Sequence, residues 1–301
     1  MANVLDIQGL SKRYKSVQAL DQLSISVPEG SIYGLLGPNG SGKTTTLGIV
    51  LDVINPTAGT FRWFGEAPSK STKRRIGALL ETPNFYPYLN GFQNLRITAD
   101  IKQVPHAQIQ HVLETVGLAH RQHNDFKGYS LGMKQRLAIG AALLGDPEVL
   151  VLDEPTNGLD PEGIAEVREL ILNVAQQGKT ILLASHLLDE VEKVCTHMAV
   201  LRAGKLKVEG PVQSIMATND LVFINGGASL EQLVQIAQGL PLVAEARVLQ
   251  QQVQLTLQQG ASSSDLNRAF FEAGIALGQL NVRKKSLESQ FMEIIKADTA
   301  V

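Results

Sequence analysis

Residues 37–44 read Gly-Pro-Asn-Gly-Ser-Gly-Lys-Thr, which satisfies every fixed position of the phosphate-loop pattern G-x-x-x-x-G-K-[ST]. Glycines in such a loop allow successive backbone N–H groups to point into one concavity, where they can hold phosphate oxygens. Lys43 would add a positive charge for the β- and γ-phosphates, and the Thr44 hydroxyl could ligate Mg²⁺. An apolar strand pattern at 31–36 precedes the loop and a helix pattern follows it, so the context that the motif requires is present.

Two acidic residues follow an apolar run later in the chain. Residues 149–152 are continuously apolar, as in a strand buried on both faces of a parallel sheet, and Asp153 and Glu154 stand at its carboxyl end. Open α/β sheets bind their ligands at this end of the strands. One acid could hold Mg²⁺ and the other could deprotonate an attacking water. His186 follows the next apolar strand pattern, at 180–185, and parallel strands would bring it to the same edge.

Two further residues could contact a nucleotide. Ser130 is expected to cap a helix, and a capped helix start that contains Gly132 offers a second, weaker signal for an anion site. Tyr14 could stack on a nucleobase, although periodicity alone favours a half-exposed aromatic on a strand.

The single cysteine, Cys195, lies in an apolar stretch and is expected to be a small buried side chain.

The composition is that of an ordinary globular chain. Its 301 residues are 44% hydrophobic and 19% charged, which suits one large domain and a smaller one. The formal net charge of −2 predicts no bulk attraction to nucleic acid or anionic lipid. The N-terminus does not read as a secretory signal, and no run reaches the roughly 18 apolar residues of a spanning helix. We therefore expect a cytoplasmic protein that reaches a membrane only through a partner.

The order of the patterns predicts an α/β fold: a P-loop NTPase sheet with an antiparallel β subdomain and a helical insertion. Residues 1–215 would form the nucleotide-binding domain, with a mostly helical subdomain at about 82–146. The helix after the phosphate loop is expected to run to about Val53. Residues 220–301 follow the order βαββαβ, which predicts a small ferredoxin-like α+β domain, and a last amphipathic helix is expected from Ser286.

Taken together, five separately spaced motifs resemble the ATPase subunit of an ATP-binding cassette (ABC) transporter over about residues 4–215. The resemblance implies that ATP is the ligand, with a Walker A loop at residues 37–45 and a Walker B strand at 149–153. It further implies that Glu154 is the catalytic base, with His186 and Lys43 neutralising charge on the transferred phosphoryl group.

The same resemblance assigns the remaining contacts to ATP and Mg²⁺. The residues implied to contact the nucleotide are Tyr14, Gly37, Asn39, Gly40, Ser41, Gly42, Lys43, Thr44, Thr45, Ser130, Gly132 and Asp160. For Tyr14 the implied role is stacking on the base, which replaces the structural interpretation above. The implied metal ligands are Thr44, Asp153 and Glu81.

One departure from the family concerns its signature, Leu-Ser-Gly-Gly-Gln. Residues 129–133 read Tyr-Ser-Leu-Gly-Met, so the serine and the second glycine of the signature are kept as Ser130 and Gly132. Leu131 loses the backbone freedom of the first glycine, and Met133 loses the amide.

A second departure is Glu81, at the position where the family usually has the glutamine of its coupling loop. A carboxylate there can still bind Mg²⁺ or water, but it adds negative charge near the γ-phosphate. Residues 81–89 are similar to the corresponding loop in cassettes of peptide-antibiotic resistance exporters.

The resemblance also implies partners and a place in the cell. Two cassettes, identical or different, would pair head to tail, so that Ser130 and Gly132 of one chain meet the γ-phosphate on the other chain's Walker A loop. A separate transmembrane permease subunit would carry the exported substrate, with this chain on the cytoplasmic face of the membrane. The alternative is a soluble ABC-type ATPase that acts on ribosomes or DNA, but no basic patch is evident and no nucleic-acid partner is expected. A phosphate-loop kinase is disfavoured by the Asp153–Glu154 pair and by the signature region at 129–133.

Overall fold

The computed structural model describes residues 2–80, 84–216, 221–258 and 260–283, and the chain divides into two compact units, Met1–Val212 and Gln213–Val301. The first unit alternates strands and helices, which in chain order are β1 (Asn3–Tyr14), β2 (Val17–Pro28), β3 (Ile32–Leu36), α1 (Lys43–Val50), β4 (Ala58–Trp63), α2 (Lys70–Arg74), β5 (Ile76–Leu79), α3 (Gly91–Lys102), α4 (Ala107–Thr115), α5 (Leu131–Leu143), β6 (Val149–Asp153), α6 (Pro161–Gln176), β7 (Thr180–Ser185), α7 (Leu188–Val194), β8 (His197–Arg202) and β9 (Lys205–Pro211). The short helix α8 (Val212–Met216) follows at the boundary.

The main sheet has six strands in the order β5-β6-β7-β3-β8-β9. All neighbouring pairs are parallel except β8 and β9. Every residue of β3, β6 and β7 is buried, which explains why these strands read as uninterrupted apolar runs. The carboxyl ends of these three adjacent strands lie side by side, as the sequence predicts.

A second, antiparallel sheet has the order β2-β1-β4 and shares its core with the main sheet. Alternate residues of β2 are buried, so the two-residue period marks a strand with one covered face. Trp63 at the end of β4 is 1% exposed, and its Nε1 donates a hydrogen bond to the Val50 carbonyl at 2.7 Å. This bond ties the antiparallel sheet to the end of α1.

Helix α1 ends at Val50, and its predicted extension to Val53 is wrong. Asp52 has φ of 58°, a left-handed conformation that cannot continue a right-handed helix.

The predicted helical insertion between β5 and β6 comprises α3, α4 and α5, with α5 packed against α3, α4, α6 and β5. Cys195 is buried beside Gly34, and burial raises the pKa of its thiol to about 12.

The second unit contains β10 (Leu221–Asn225), α9 (Leu230–Gln238), β11 (Val243–Leu249), β12 (Gln252–Leu257), α10 (Ser263–Glu272) and β13 (Gln279–Arg283). Its strands form one antiparallel sheet in the order β11-β12-β10-β13, the ferredoxin-like arrangement that the sequence predicts. Its core is separate and includes Phe270 and Leu255, both fully buried. The terminal helix expected from Ser286 lies outside the described residues.

Helices that could cross a lipid bilayer are absent from the described ranges, because none is both long enough and apolar enough.

Gly77 on β5 provides a test of how the helical insertion packs on the sheet. A Cβ at this position would lie 2.2 Å from the Ala142 carbonyl oxygen of α5, a backbone atom that can move only with its helix. We expect Gly77→Ala to lower the free energy of unfolding by about 2 kcal/mol, measured by urea denaturation. Gly128→Ala is the matched control, since among the described residues no atom beyond its chain neighbours lies within 4 Å of its added Cβ. Equal stability of the two variants would contradict this packing.

Candidate active site

Backbone hydrogen bonds hold the residues after β3 and β6 against the end of β7. The Gly37 N–H donates to the Ser185 carbonyl at 3.3 Å, and the Glu154 N–H donates to the Ala184 carbonyl at 2.9 Å. His186 follows Ser185 directly. The start of the phosphate loop, the acid after β6 and the histidine after β7 are therefore held at one place by the sheet itself.

The phosphate loop needs its glycines for steric reasons. A Cβ on Gly37 would lie 2.4 Å from the Leu201 carbonyl oxygen, and a Cβ on Gly42 would lie 2.8 Å from the Ala19 carbonyl oxygen. Gly40 and Gly42 also have φ values of 78° and 107°, which L-residues rarely adopt. The chain can therefore close into this tight loop only with glycine at these positions.

The same loop presents donors suited to an anion. Gly42 is the N-cap of α1 and offers no side chain, so the first N–H groups of the helix have no side-chain cap. The Ser41 hydroxyl is buried and makes no hydrogen bond with any described residue. Asn39, Gly40 and Thr44 are exposed, and Thr45 is half-buried. A buried hydroxyl without a partner beside an uncapped helix start fits a bound phosphate group.

Lys43 is the first residue of α1 and folds back over the loop. Its Nζ donates to the Gly37 carbonyl at 2.8 Å and to the Pro38 carbonyl at 3.4 Å, and it lies 3.3 Å from Glu154 Oε1. The side chain is only 5% exposed, so the charge is balanced by these oxygens rather than by bulk water.

Glu154 is the centre of the site. While Oε1 contacts Lys43, the other carboxylate oxygen, Oε2, lies 2.7 Å from His186 Nδ1 and accepts the His186 backbone N–H at 3.3 Å. Its φ of 49° is left-handed, a conformation uncommon for a residue with a side chain and often found at functional sites. The sheet and the loop thus bring together the three residues predicted to be catalytic, Lys43, Glu154 and His186.

Oxygen donors suited to Mg²⁺ lie on the elements that carry this trio. Asp153, at the end of β6, is 3% exposed, and Thr44 is in the first turn of α1. A carboxylate and a hydroxyl are ligands that Mg²⁺ accepts, with water and substrate phosphates completing its shell. Groups of three or more His, Cys, Asp or Glu placed to hold a metal do not occur in the described ranges. Glu81, the third predicted ligand, lies outside the described residues.

Three other predicted contacts lie at helix starts. Ser130 caps α5 by accepting the Met133 N–H at 3.2 Å, and Asp160 caps α6 by accepting the Gly163 N–H at 2.9 Å. A Cβ on Gly132 would lie 3.6 Å from the Gly163 Cα, so the two helix starts are neighbours. Ser130 and Asp160 thus hold backbone donors of their own helices, and no hydrogen bond between described residues joins either to the phosphate loop.

Tyr14 is the last residue of β1 and is 43% exposed. The Lys12 Nζ lies 4.9 Å from the centre of its ring, a cation–π contact. The ring is therefore available to a flat partner from solvent.

The sequence analysis does not single out Arg136, a residue of α5 that contacts α6 and the end of α4. One of its guanidinium nitrogens lies 3.4 Å from Glu166 Oε2 on α6, and another donates to the Val116 carbonyl at 3.3 Å. Arg136 lies four positions after Gly132, on the same face of α5, and that spacing was the available signal. Arg136 thus links α5 to α6 and to the end of α4.

The chain is similar to known proteins in sequence and in fold. The family model described as ABC transporter matches residues 20–157. The chain is 38% identical over 304 residues to the bacitracin transport ATP-binding protein BcrA of Bacillus licheniformis, with 99% of each chain covered. It is 38% identical over 206 residues to the lantibiotic transport ATP-binding protein SrtF of Streptococcus pyogenes, covering 68% of this chain and 90% of that one.

Among solved structures, CbiO1 of Clostridium perfringens, described as part of the ABC transporter complex CbiONQ, superposes with a TM-score of 0.66 and 26% identity. The match covers 72% of this chain and 92% of CbiO1. Since the likeness to BcrA extends over almost the whole sequence, the chain belongs to the family of ABC transporter ATP-binding proteins, and it is an ATPase subunit with the P-loop NTPase fold.

Proposed function

We propose that this chain binds Mg²⁺ and ATP at the loop of residues 37–45, hydrolyses the ATP at Glu154, and thereby drives export through a separate transmembrane permease. The observation that carries the proposal is the convergence on Glu154 of Lys43, 3.3 Å away, and His186, 2.7 Å away, at the mouth of a phosphate loop. A base, two balancing groups and an anion cradle are the parts that phosphoryl transfer to water needs.

Binding of ATP would first change the partners of Lys43. Phosphate oxygens accept hydrogen bonds from the loop N–H groups and from the Ser41 hydroxyl, which has no partner among the described residues. Lys43 exchanges Glu154 and the loop carbonyls for the β- and γ-phosphates. Glu154 Oε1 is then free to accept a proton, so substrate binding itself prepares the base.

Hydrolysis then follows at the freed carboxylate. Glu154 accepts a proton from a water as the water oxygen bonds to the γ-phosphorus, and the bond from that phosphorus to the β,γ-bridging oxygen breaks. The leaving ADP keeps the electron pair of the broken bond, and the other product is inorganic phosphate. Since a carboxylate only accepts, Nδ1 of His186 donates to Glu154, and Nε2 can donate to the γ-phosphate when the ring is an imidazolium.

The metal would be held by Thr44 and Asp153, with Glu81 as the further ligand that the sequence predicts. When bound, Mg²⁺ neutralises charge that develops on the phosphate oxygens. Tyr14 would stack on the base, since its ring is 43% exposed.

A second cassette, identical or different, would complete the site. Among the described residues, the atom nearest to a Cβ on Gly132 lies 3.6 Å away, an ordinary contact, so the packing of this part of the chain does not require glycine there. Close approach of a phosphate on another chain would require it. Ser130 and Asp160 cap the neighbouring helix starts. In this proposal both residues lie beside the surface of the partner chain.

Export is proposed from the relatives, whose names concern bacitracin and lantibiotic transport rather than ribosomes or DNA. We propose antibiotics of these kinds as the first cargo to test, with this chain on the cytoplasmic face of the membrane. The exposed Tyr86 and Tyr88, whose rings lie 5.8 Å apart, form an aromatic surface for the permease to contact.

Replacement of the proposed base tests the catalytic assignment. Glu154→Gln keeps the size of the side chain but removes its ability to accept the proton, so we expect ATP hydrolysis to fall at least about 100-fold. Binding of a fluorescent ATP analogue should persist. Glu169→Gln, at an exposed acid in the second half of α6, is the control and should retain full activity. Near-normal turnover by Glu154→Gln would remove Glu154 from the catalytic role.

Gly132→Ala tests the contribution of a partner chain. Since the added methyl group fits within the chain, we expect unchanged stability and unchanged ATP binding by the monomer. Hydrolysis should fall about tenfold or more, because the methyl group would obstruct the partner's γ-phosphate. Gly128→Ala serves as the control in the same segment. Wild-type hydrolysis by Gly132→Ala would contradict a site completed at this glycine.

A further inference from the structure

A cleft of about 430 Å³ opens far from the residues assigned to nucleotide chemistry. One wall comes from α2 and the start of β5, and the other from the ends of α3 and α5. Its residue Ile76 begins β5, which places the cleft at the amino-terminal edge of the parallel sheet. The phosphate loop lies at the opposite, carboxyl edge. The volume is within the range of small-molecule sites, roughly 300–1,000 Å³.

The cleft has an apolar surface that reaches solvent. Ile101, near the end of α3, is 78% exposed, and Leu144, after α5, is 2% exposed. Ile76 and Val104 between them are half-buried. The apolar side chains therefore extend from a solvent-exposed rim to a buried floor, which suits a hydrocarbon chain that enters from solvent.

The charged residues that line the cleft in the described part of the chain are all cations: Lys73, Arg74 and Lys102. Lys73 is paired with Asp52, which does not line the cleft. The Lys102 Nζ donates to the carbonyls of Ala141, Ala142 and Leu144 at 2.8, 3.1 and 3.0 Å, so it is fixed to the end of α5. That helix end carries partial negative charge, which offsets part of the charge of Lys102.

Arg74 is the cation left over. It is exposed and makes no ion pair or side-chain hydrogen bond with a described residue. A guanidinium offers two parallel N–H donors that match the two oxygens of a carboxylate. Lys73 and Lys102 already have partners, so Arg74 is the lining cation whose donors can meet a carboxylate.

We propose that this cleft binds an aliphatic carboxylate, with the carboxylate on Arg74 and the hydrocarbon chain along Ile101, Ile76 and Val104. The ligand would contact α2 and β5 on one side and the helical insertion on the other. The site is independent of the assignment of Glu154 and of the proposed transport function.

The test uses octanoate with the full-length protein, measured by calorimetry and by the methyl NMR signals of labelled isoleucines. Octanoate should bind saturably and shift the signals of Ile76 and Ile101, but not that of Ile171 in α6, whose side chain is buried away from the cleft lining. Acetate, which lacks the hydrocarbon, and octanamide, which lacks the charge, should each bind at least tenfold more weakly.

Substitutions at exposed residues distinguish binding at this site from nonspecific binding, and they are expected to leave the fold intact. Arg74→Gln should weaken octanoate binding at least tenfold, and Ile101→Ser should weaken it several-fold. Arg96→Gln, which removes an exposed cation of α3 that does not line the cleft, should leave the affinity unchanged. The proposal is overturned if octanoate does not bind, if octanamide binds as well as octanoate, or if Arg74→Gln binds like the wild type.

Discussion

Parallel pairing of β6, β7 and β3 is the constraint on which the rest of the site depends. Each strand is buried over its whole length, so its chain must leave the sheet at the carboxyl edge before a polar residue can reach solvent. Three consecutive strands of the sheet therefore deliver the phosphate loop, Glu154 and His186 to one place. The left-handed backbone of Glu154 is accommodated there because its N–H is fixed to β7.

Within this frame the carboxylate of Glu154 contacts two described residues, Lys43 and His186. The contact with Lys43 balances a cation that is 5% exposed, and the contact with His186 fixes the histidine ring. Because phosphate would compete for Lys43, ATP binding and activation of the base become one event in the proposed mechanism.

Much of this arrangement is predictable from sequence because it follows from simple patterns. An apolar run followed by Asp153 or by His186 predicts where a strand ends. Close backbone contacts require the glycines of the loop. The order βαββαβ likewise predicts the topology of the second unit. The contact between Lys43 and Glu154 and the bridge from Arg136 to Glu166 were not predictable, since they depend on side-chain conformations that only the packed helices and loop define. The early end of α1 depends on the left-handed Asp52, which local apolar periodicity does not reveal.

The central claim is that main-chain donors and Lys43 hold the triphosphate of ATP. Equilibrium binding of ATP to the purified protein, with and without Mg²⁺, tests it most directly when the wild type is compared with Lys43→Ala. We predict saturable binding of one ATP per chain that Mg²⁺ strengthens, and a loss of affinity of at least about tenfold in the variant, as expected when a charged hydrogen bond to phosphate is removed. Absence of Mg²⁺-dependent ATP binding by the wild type, or equal affinity of the two proteins, would contradict the account.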